Sequence, residues 1–189
     1  HLVDKLNDSA AYERAAALAW TQAQVELHHL NLDRHAAGLY QSLAGHLIYA
    51  NSAMRARPEI IAEGRAEQSV LWSLGLSGDL PIMLVEMSEP QQIGLVEDAL
   101  QAFEYLQTKR LAFDLVIINA RGASYQQDLQ FAIENAVRIS QARPRIGGDP
   151  PAGQVYLLRA DLISQDARAA LEAAARVVFR GEAGRLAQQ

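Results

Sequence analysis

Cysteine is absent from the 189 residues. That excludes disulfides, thiolate metal sites and a thiol nucleophile, and it leaves the redox compartment open. No block of like charge occurs either. Seventeen Lys and Arg are scattered among 22 Asp and Glu, for a net charge of −5, so nothing here tracks a phosphate backbone or an anionic membrane surface, and nucleic acid is not an expected partner. No apolar run reaches the roughly 18 to 20 residues that a membrane-spanning helix needs. The densest stretches, Leu80–Val85 and Leu115–Ile118, are of strand length. Aromatics are sparse, at 6%.

Half of the residues are hydrophobic, enough for one good core with a satellite helical layer. The chain opens on His1 rather than Met and runs straight into helix-compatible sequence, which reads as a piece of a larger protein.

Two patterns follow each other. From Ser9, a plausible cap, residues 10–30 are rich in Ala and free of Gly and Pro, which predicts a long helix. Asn31 or Asp33 is placed to cap a second helix, with Ala36, Leu39, Tyr40, Leu43, Leu47 and Ile48 on one stripe and Asn51–Ser52 closing it. Pro58 opens a short third helix to Gly64. After Ser73 the pattern changes. Leu80–Val85, Phe113–Asn119 and Gln154–Arg159 are apolar runs of strand length, each followed by a helical segment. The helices are expected at Gln91–Lys109 behind a Ser88 cap, at Tyr125–Ala142 behind Ser124, and from Ser164 through Phe179. The expected fold is therefore α/β: a helical segment over residues 1–73, then a small three-stranded parallel βαβαβα sheet over 74–189, with both sheet faces needing cover.

Parallel α/β sheets collect ligands at the carboxyl ends of their strands. Those ends supply Glu86 and Ser88, then Asn119, Arg121 and Gly122, then Arg159 and Asp161. Glu86, Asn119, Arg121, Arg159 and Asp161 are the candidate ligand-binding set, suited to a sugar or small anion beside helix N-termini. Polar strand ends and caps occur in nearly every such fold, so the same residues also read as structural.

The catalytic inventory is empty. Gly75–Gly78 precedes a strand, whereas phosphate loops follow one, so it reads as a turn. His28, His29, His35 and His46 lack the spacing of a zinc helix. Glu59, Glu63 and Glu67, near Arg55, Arg57 and Arg65, read as a solvated helical face rather than as a glycosidase pair. No Gly-x-Ser-x-Gly elbow is present. Trp72, Tyr40, Tyr49 and Tyr105 have faces that stack on sugars, but core packing is the expectation. No catalytic residue, cofactor or metal is assigned.

One further pattern is carried by several runs in order: AWTQAQVEL at Ala19–Leu27, HLIY at His46–Tyr49, LWSLGLSGDLPIMLV at Leu71–Val85, FDLVIIN at Phe113–Asn119, SYQQDLQ at Ser124–Gln130 and LRADL at Leu158–Leu162. Together they resemble the cyclic β-1,2-glucan synthases over most of residues 15–180. In that family such stretches follow a β-sandwich akin to the sugar phosphorylases, inside a very long inner-membrane enzyme. The resemblance implies a parent that builds a β-1,2-glucan from UDP-glucose, cyclises it and adjusts its length with a phosphorylase-like module. It carries over no catalytic position, because the transferase motifs and barrel carboxylates match nothing here. It implies a scaffold or substrate-guiding domain on the cytoplasmic side of the membrane, with neighbouring domains of the parent as partners and β-1,2-glucan as a candidate ligand. A carbohydrate-binding module at Asn119, Arg121, Arg159 and Asp161 is the alternative. An independent small doubly wound enzyme, which needs a deep pocket with a perturbed acid or base, is the third reading.

Overall fold

The computed structural model of the protein describes residues 9–63, 68–121, 126–143 and 151–189. Gly64, Arg65, Glu67, Gly122, Ser124 and Tyr125, all drawn on above, lie outside them. The chain divides into two compact units, one through Gly38 and one from Leu39 onward.

In the first unit, helix α1 spans Ser9–His29. It ends where Asn31 takes the left-handed conformation at φ 51°, a turn that Asn tolerates better than most residues. The amide of Leu32 returns to the carbonyl of Leu27 at 2.8 Å. Asp33, rather than Asn31, caps helix α2 (Arg34–Ile48), accepting from the amide of Ala36 at 2.7 Å.

The second unit holds the remainder of α2, short helices α3 (Pro58–Glu63) and α4 (Gln68–Trp72), and then alternating strands and helices. These are β1 (Ile82–Met87), α5 (Ile93–Thr108), β2 (Asp114–Asn119), α6 (Gln126–Gln141), β3 (Val155–Arg159), α7 (Gln165–Ala174) and β4 (Val177–Arg180). All four strands are parallel, in the order β3-β2-β1-β4. The parallel α/β expectation is met, and the count is corrected from three strands to four. Residues 177–179 were expected as the end of the last helix, because no Gly or Pro stops it before Gly181. Instead α7 ends at Ala174, and Val177–Arg180 pairs with Met83–Glu86. A β-branched pair and a Phe favour the strand once β1 offers a free edge.

Two caps are also reassigned or met. Ser164 caps α7 as expected, its Oγ accepting from the amide of Ala167 at 3.1 Å. Ser88 does not cap α5. The side chain of Gln92 reaches back and accepts from the amides of Ser88 (2.8 Å) and Glu89 (3.1 Å), satisfying donors that the first turn leaves open.

The strand pleat deals residues alternately to the two faces. Ile82, Leu84, Val116 and Ile118 share a core with Leu71 of α4, Leu76, and Leu171 and Ala175 at α7. Met83, Val85, Met87, Leu115 and Ile117 point the other way and are fully buried on the side where α5 and α6 pack. There Phe103 of α5 meets Phe113 edge-on at 5.0 Å between centroids. Strand order reverses between β2 and β4 around β1, so the crossover to β4 runs over the opposite face from the first two. That makes the sheet doubly wound.

Candidate functional site

The switch point of a doubly wound sheet is where neighbouring crossovers diverge, and it leaves a crevice at the carboxyl ends of the two strands beside it. Here those strands are β1 and β4, in register at Glu86 and Arg180. The crevice is filled by the protein itself. Arg180 donates to Glu86 at 2.7 Å and to Glu172 of α7 at 2.9 Å. Arg168, one turn earlier on α7, donates to Glu172 at 3.2 Å and also to Glu86. Two carboxylates and two guanidinium groups thus close a ring of alternating charge. The carboxylates are the more enclosed members, and both guanidinium groups keep one edge in solvent. Burial alone lowers the pKa of Arg180, but the charge of Glu86, with the hydrogen bond and charge of Glu172 and the charge of Glu182, carries it above its ordinary value. Every acid in the ring faces a permanent cation.

Beside the ring, Gly181 lies so close to the side chain of Gln92 that a Cβ would approach its Oε1 to 2.3 Å. Gln189 closes the end of β4, accepting from the amide of Arg180 at 3.0 Å and donating to its carbonyl at 3.1 Å.

The five candidate residues do not form one group. The pleat turns Glu86 toward α7, whereas Asn119 and Arg159, register partners on β2 and β3, face the α6 side. Asn119 is buried. Its amide donates to Gln130 of α6 at 3.1 Å, and its Oδ1 accepts from the amide of Arg121, also at 3.1 Å. Arg159 makes a two-point pair with Asp161, Nε to Oδ1 at 3.2 Å and Nη2 to Oδ2 at 2.8 Å, with both side chains about one-third exposed. Asn119, Arg121, Arg159 and Asp161 are therefore neighbours at the ends of β2 and β3, and Glu86 belongs to a separate constellation. Sequence reasoning missed Arg168, Glu172 and Arg180. The only local signal was the four-residue spacing of Arg168 and Glu172 on one helical face.

The aromatics also divide. Tyr40 and Tyr105 are buried, 6.0 Å apart between centroids, and hydrogen-bond to Gln101 and Gln41 respectively. Tyr49 and Trp72 are exposed, which corrects the expected packing of both. Helix α4 has five residues and buries Leu71, so the next position turns about 100° away from the core. The Trp72 ring is held by a hydrogen bond to the carbonyl of Ser77 at 3.2 Å. His46 lies 3.2 Å from the amide nitrogen of Asn51, and among the described residues no three His, Asp or Glu gather as a metal site would.

A polar groove of about 270 Å³ lies between α5 and α6, lined by Glu97, Asp98, Gln101, Glu104, Ser140 and Arg143 among others. Two of its acids are paired, Glu104 with Arg143 at 3.1 Å, and Asp98 with Arg185, whose Nε reaches Oδ2 at 2.7 Å.

Fold and site together define a parallel, doubly wound α/β domain whose switch-point crevice is closed by its own ion pairs. No family model matches the chain. It is 32% identical over 187 residues to cyclic beta-(1,2)-glucan synthase NdvB of Rhizobium meliloti (strain 1021), an alignment covering 99% of this chain and 6% of that protein. The relation read from the sequence motifs stands, as a likeness of the whole chain to a short stretch of a much longer synthase. Among the described residues no helix is long and apolar enough to cross a membrane.

Proposed function

We propose that this chain is a non-catalytic domain of a cyclic β-1,2-glucan synthase, holding its neighbours or guiding the glucan while other parts of the parent carry out the chemistry. The observation that carries this reading is the closed ring of Glu86, Arg168, Glu172 and Arg180 in the crevice where a doubly wound enzyme keeps its ligand. The likeness to a glucan synthase supplies the context. The parent is read as using UDP-glucose and as bound to the inner membrane, with this domain on the cytoplasmic side. Incubation of the chain with UDP-glucose, and separately with linear and cyclic β-1,2-glucans, is expected to give no product by chromatography. Product formation abolished by Glu86→Gln would sink the reading.

The second reading, a carbohydrate-binding module, is favoured by one observation. Arg159 and Asp161 form a two-point pair, partly open to solvent, beside Asn119 and Arg121. Fixed planar donors and acceptors of this kind suit sugar hydroxyls. Titration with β-1,2-glucans followed by calorimetry decides it. Saturable binding that weakens about tenfold, or roughly 1.4 kcal/mol, on Arg121→Ala or Arg159→Ala would support a guiding site. Binding unchanged by both substitutions removes that site, and no binding at millimolar ligand leaves the spacing role.

A further inference from the structure

Main-chain bonding along β3 alternates. The carbonyl of Gln154 accepts from the amide of Leu115, and the amide of Ala160 donates to the carbonyl of Asn119, both at 2.9 Å. In a parallel ladder this phase turns the N–H and C=O groups of residues 154, 156, 158 and 160 toward β2, and those of Val155 and Leu157 outward. Among the described residues nothing meets those outward groups.

The two edges of the sheet are treated differently. β4 has four residues, and the Gln189 amide closes its end. The one charge in β3 is Arg159 at its end, and Val155, Tyr156, Leu157 and Leu158 before it include no Lys, no Pro and no charge. All five residues of β3 are only half-buried, next to a β2 that is buried throughout. Beyond the strand, Leu162 is 71% exposed. A strand apolar on both faces is built for the interior of a parallel sheet, and at an edge it is a template for another strand.

We infer that the outer edge of β3 receives an extended segment of the longer parent, from outside these 189 residues, which adds a fifth strand to the sheet. The occupant is a strand because the open groups are main-chain donors and acceptors at ladder spacing, which an extended backbone satisfies in full. It is apolar at alternate positions, to continue the two faces that Val155 and Leu157, and Tyr156 and Leu158, leave half-covered. It comes from the same polypeptide because the matched stretch is 6% of a far longer synthase, and a covalently tethered segment acts at an effective concentration of order millimolar, against which a second copy competes poorly. This rests on the reading of the chain as one domain of such a parent.

Hydrogen exchange at residue resolution, run on this chain and on the longer protein, tests it. In the longer protein the amides of Val155 and Leu157 are expected to exchange ~100-fold or more slowly than in the 189-residue chain, while those of Tyr156 and Leu158 are protected in both. Rapid exchange at Val155 and Leu157 in both forms overturns the inference. So does slow exchange in the short chain that rises with concentration and accompanies a dimer in sedimentation, because the occupant is then a second copy. Leu157→Pro removes an outward N–H that β2 does not use, and it is expected to return Val155 to fast exchange in the longer protein with Tyr156 still protected. Leu157→Lys charges the edge without straining the backbone and is expected to do the same. Retained protection at Val155 in both variants also overturns it. Turnover or glucan binding by the short chain bears on the proposed function and leaves these exchange rates as they are.

Discussion

Gly153 shows how much one residue type can decide. Its φ is +128°, and a Cβ placed there would stand 2.1 Å from the carbonyl oxygen of Phe113. Neither the backbone conformation nor the space admits a side chain. Gly153→Ala is expected to cost about 2–4 kcal/mol, read as a lower urea midpoint at unchanged slope. Next to it, Asp114 sits buried at the start of β2 and accepts from the amide of Gln154 at 3.0 Å. Burial pushes its carboxyl up, and the hydrogen bond only partly offsets this. A raised folded pKa means that the folded state favours the protonated form. Its contribution to stability is then fully present below the unfolded value near 4 and is lost as pH rises through the folded one. Asp114→Asn keeps an acceptor for Gln154 and is expected to stabilise the protein at pH 7, with the gain vanishing near pH 3. Denaturation midpoints at the two pH values check it, and a gain that grows toward acid would refute it.

At the scale of elements, the corner between α7 and β4 decides how the sheet is completed. Helix α7 has no Gly after it, and its final carbonyls would otherwise be open. Arg55 supplies the stop, donating to the carbonyl of Ala173 at 2.6 Å and to that of Ala175 at 3.4 Å. A cation there also meets the negative end of the helix. Arg55→Ala is expected to lower stability by about 1–2 kcal/mol, with Arg55→Lys recovering part of the loss. The charge ring ties α7 to β1 and β4. Because its guanidinium groups are about one-third exposed, each pair is worth less than its geometry suggests. Glu86→Ala is expected to cost about 1 kcal/mol, less at high salt, and a Glu86/Arg180 double-mutant cycle is expected to give a coupling below about 1 kcal/mol. A coupling of several kcal/mol would mean that the ring is shielded from solvent.

At the scale of the whole molecule, the long helices, the first three strands and the Ser164 cap were legible because each is written locally. Apolar residues recur at helical or strand period, and Ser, Pro and Gly punctuate them. The motif order extended this to a relation, since the likeness to a glucan synthase covers nearly the whole chain. Polar strand ends were legible too, and Asn119, Arg121, Arg159 and Asp161 do lie together. Three things depended on tertiary structure. Val177–Arg180 became a strand because β1 had an edge to pair with, and a four-residue element carries too little period of its own to declare its type. Glu86 parted from the other candidates because the pleat turns alternate residues to opposite faces, and that assignment depends on register. Its partners Arg168, Glu172 and Arg180 stand 82 to 94 residues further along the chain, brought to it by a crossover over the opposite face. Local pattern specifies where a side chain sits on its own element, and only the packing of distant elements specifies which charge it meets.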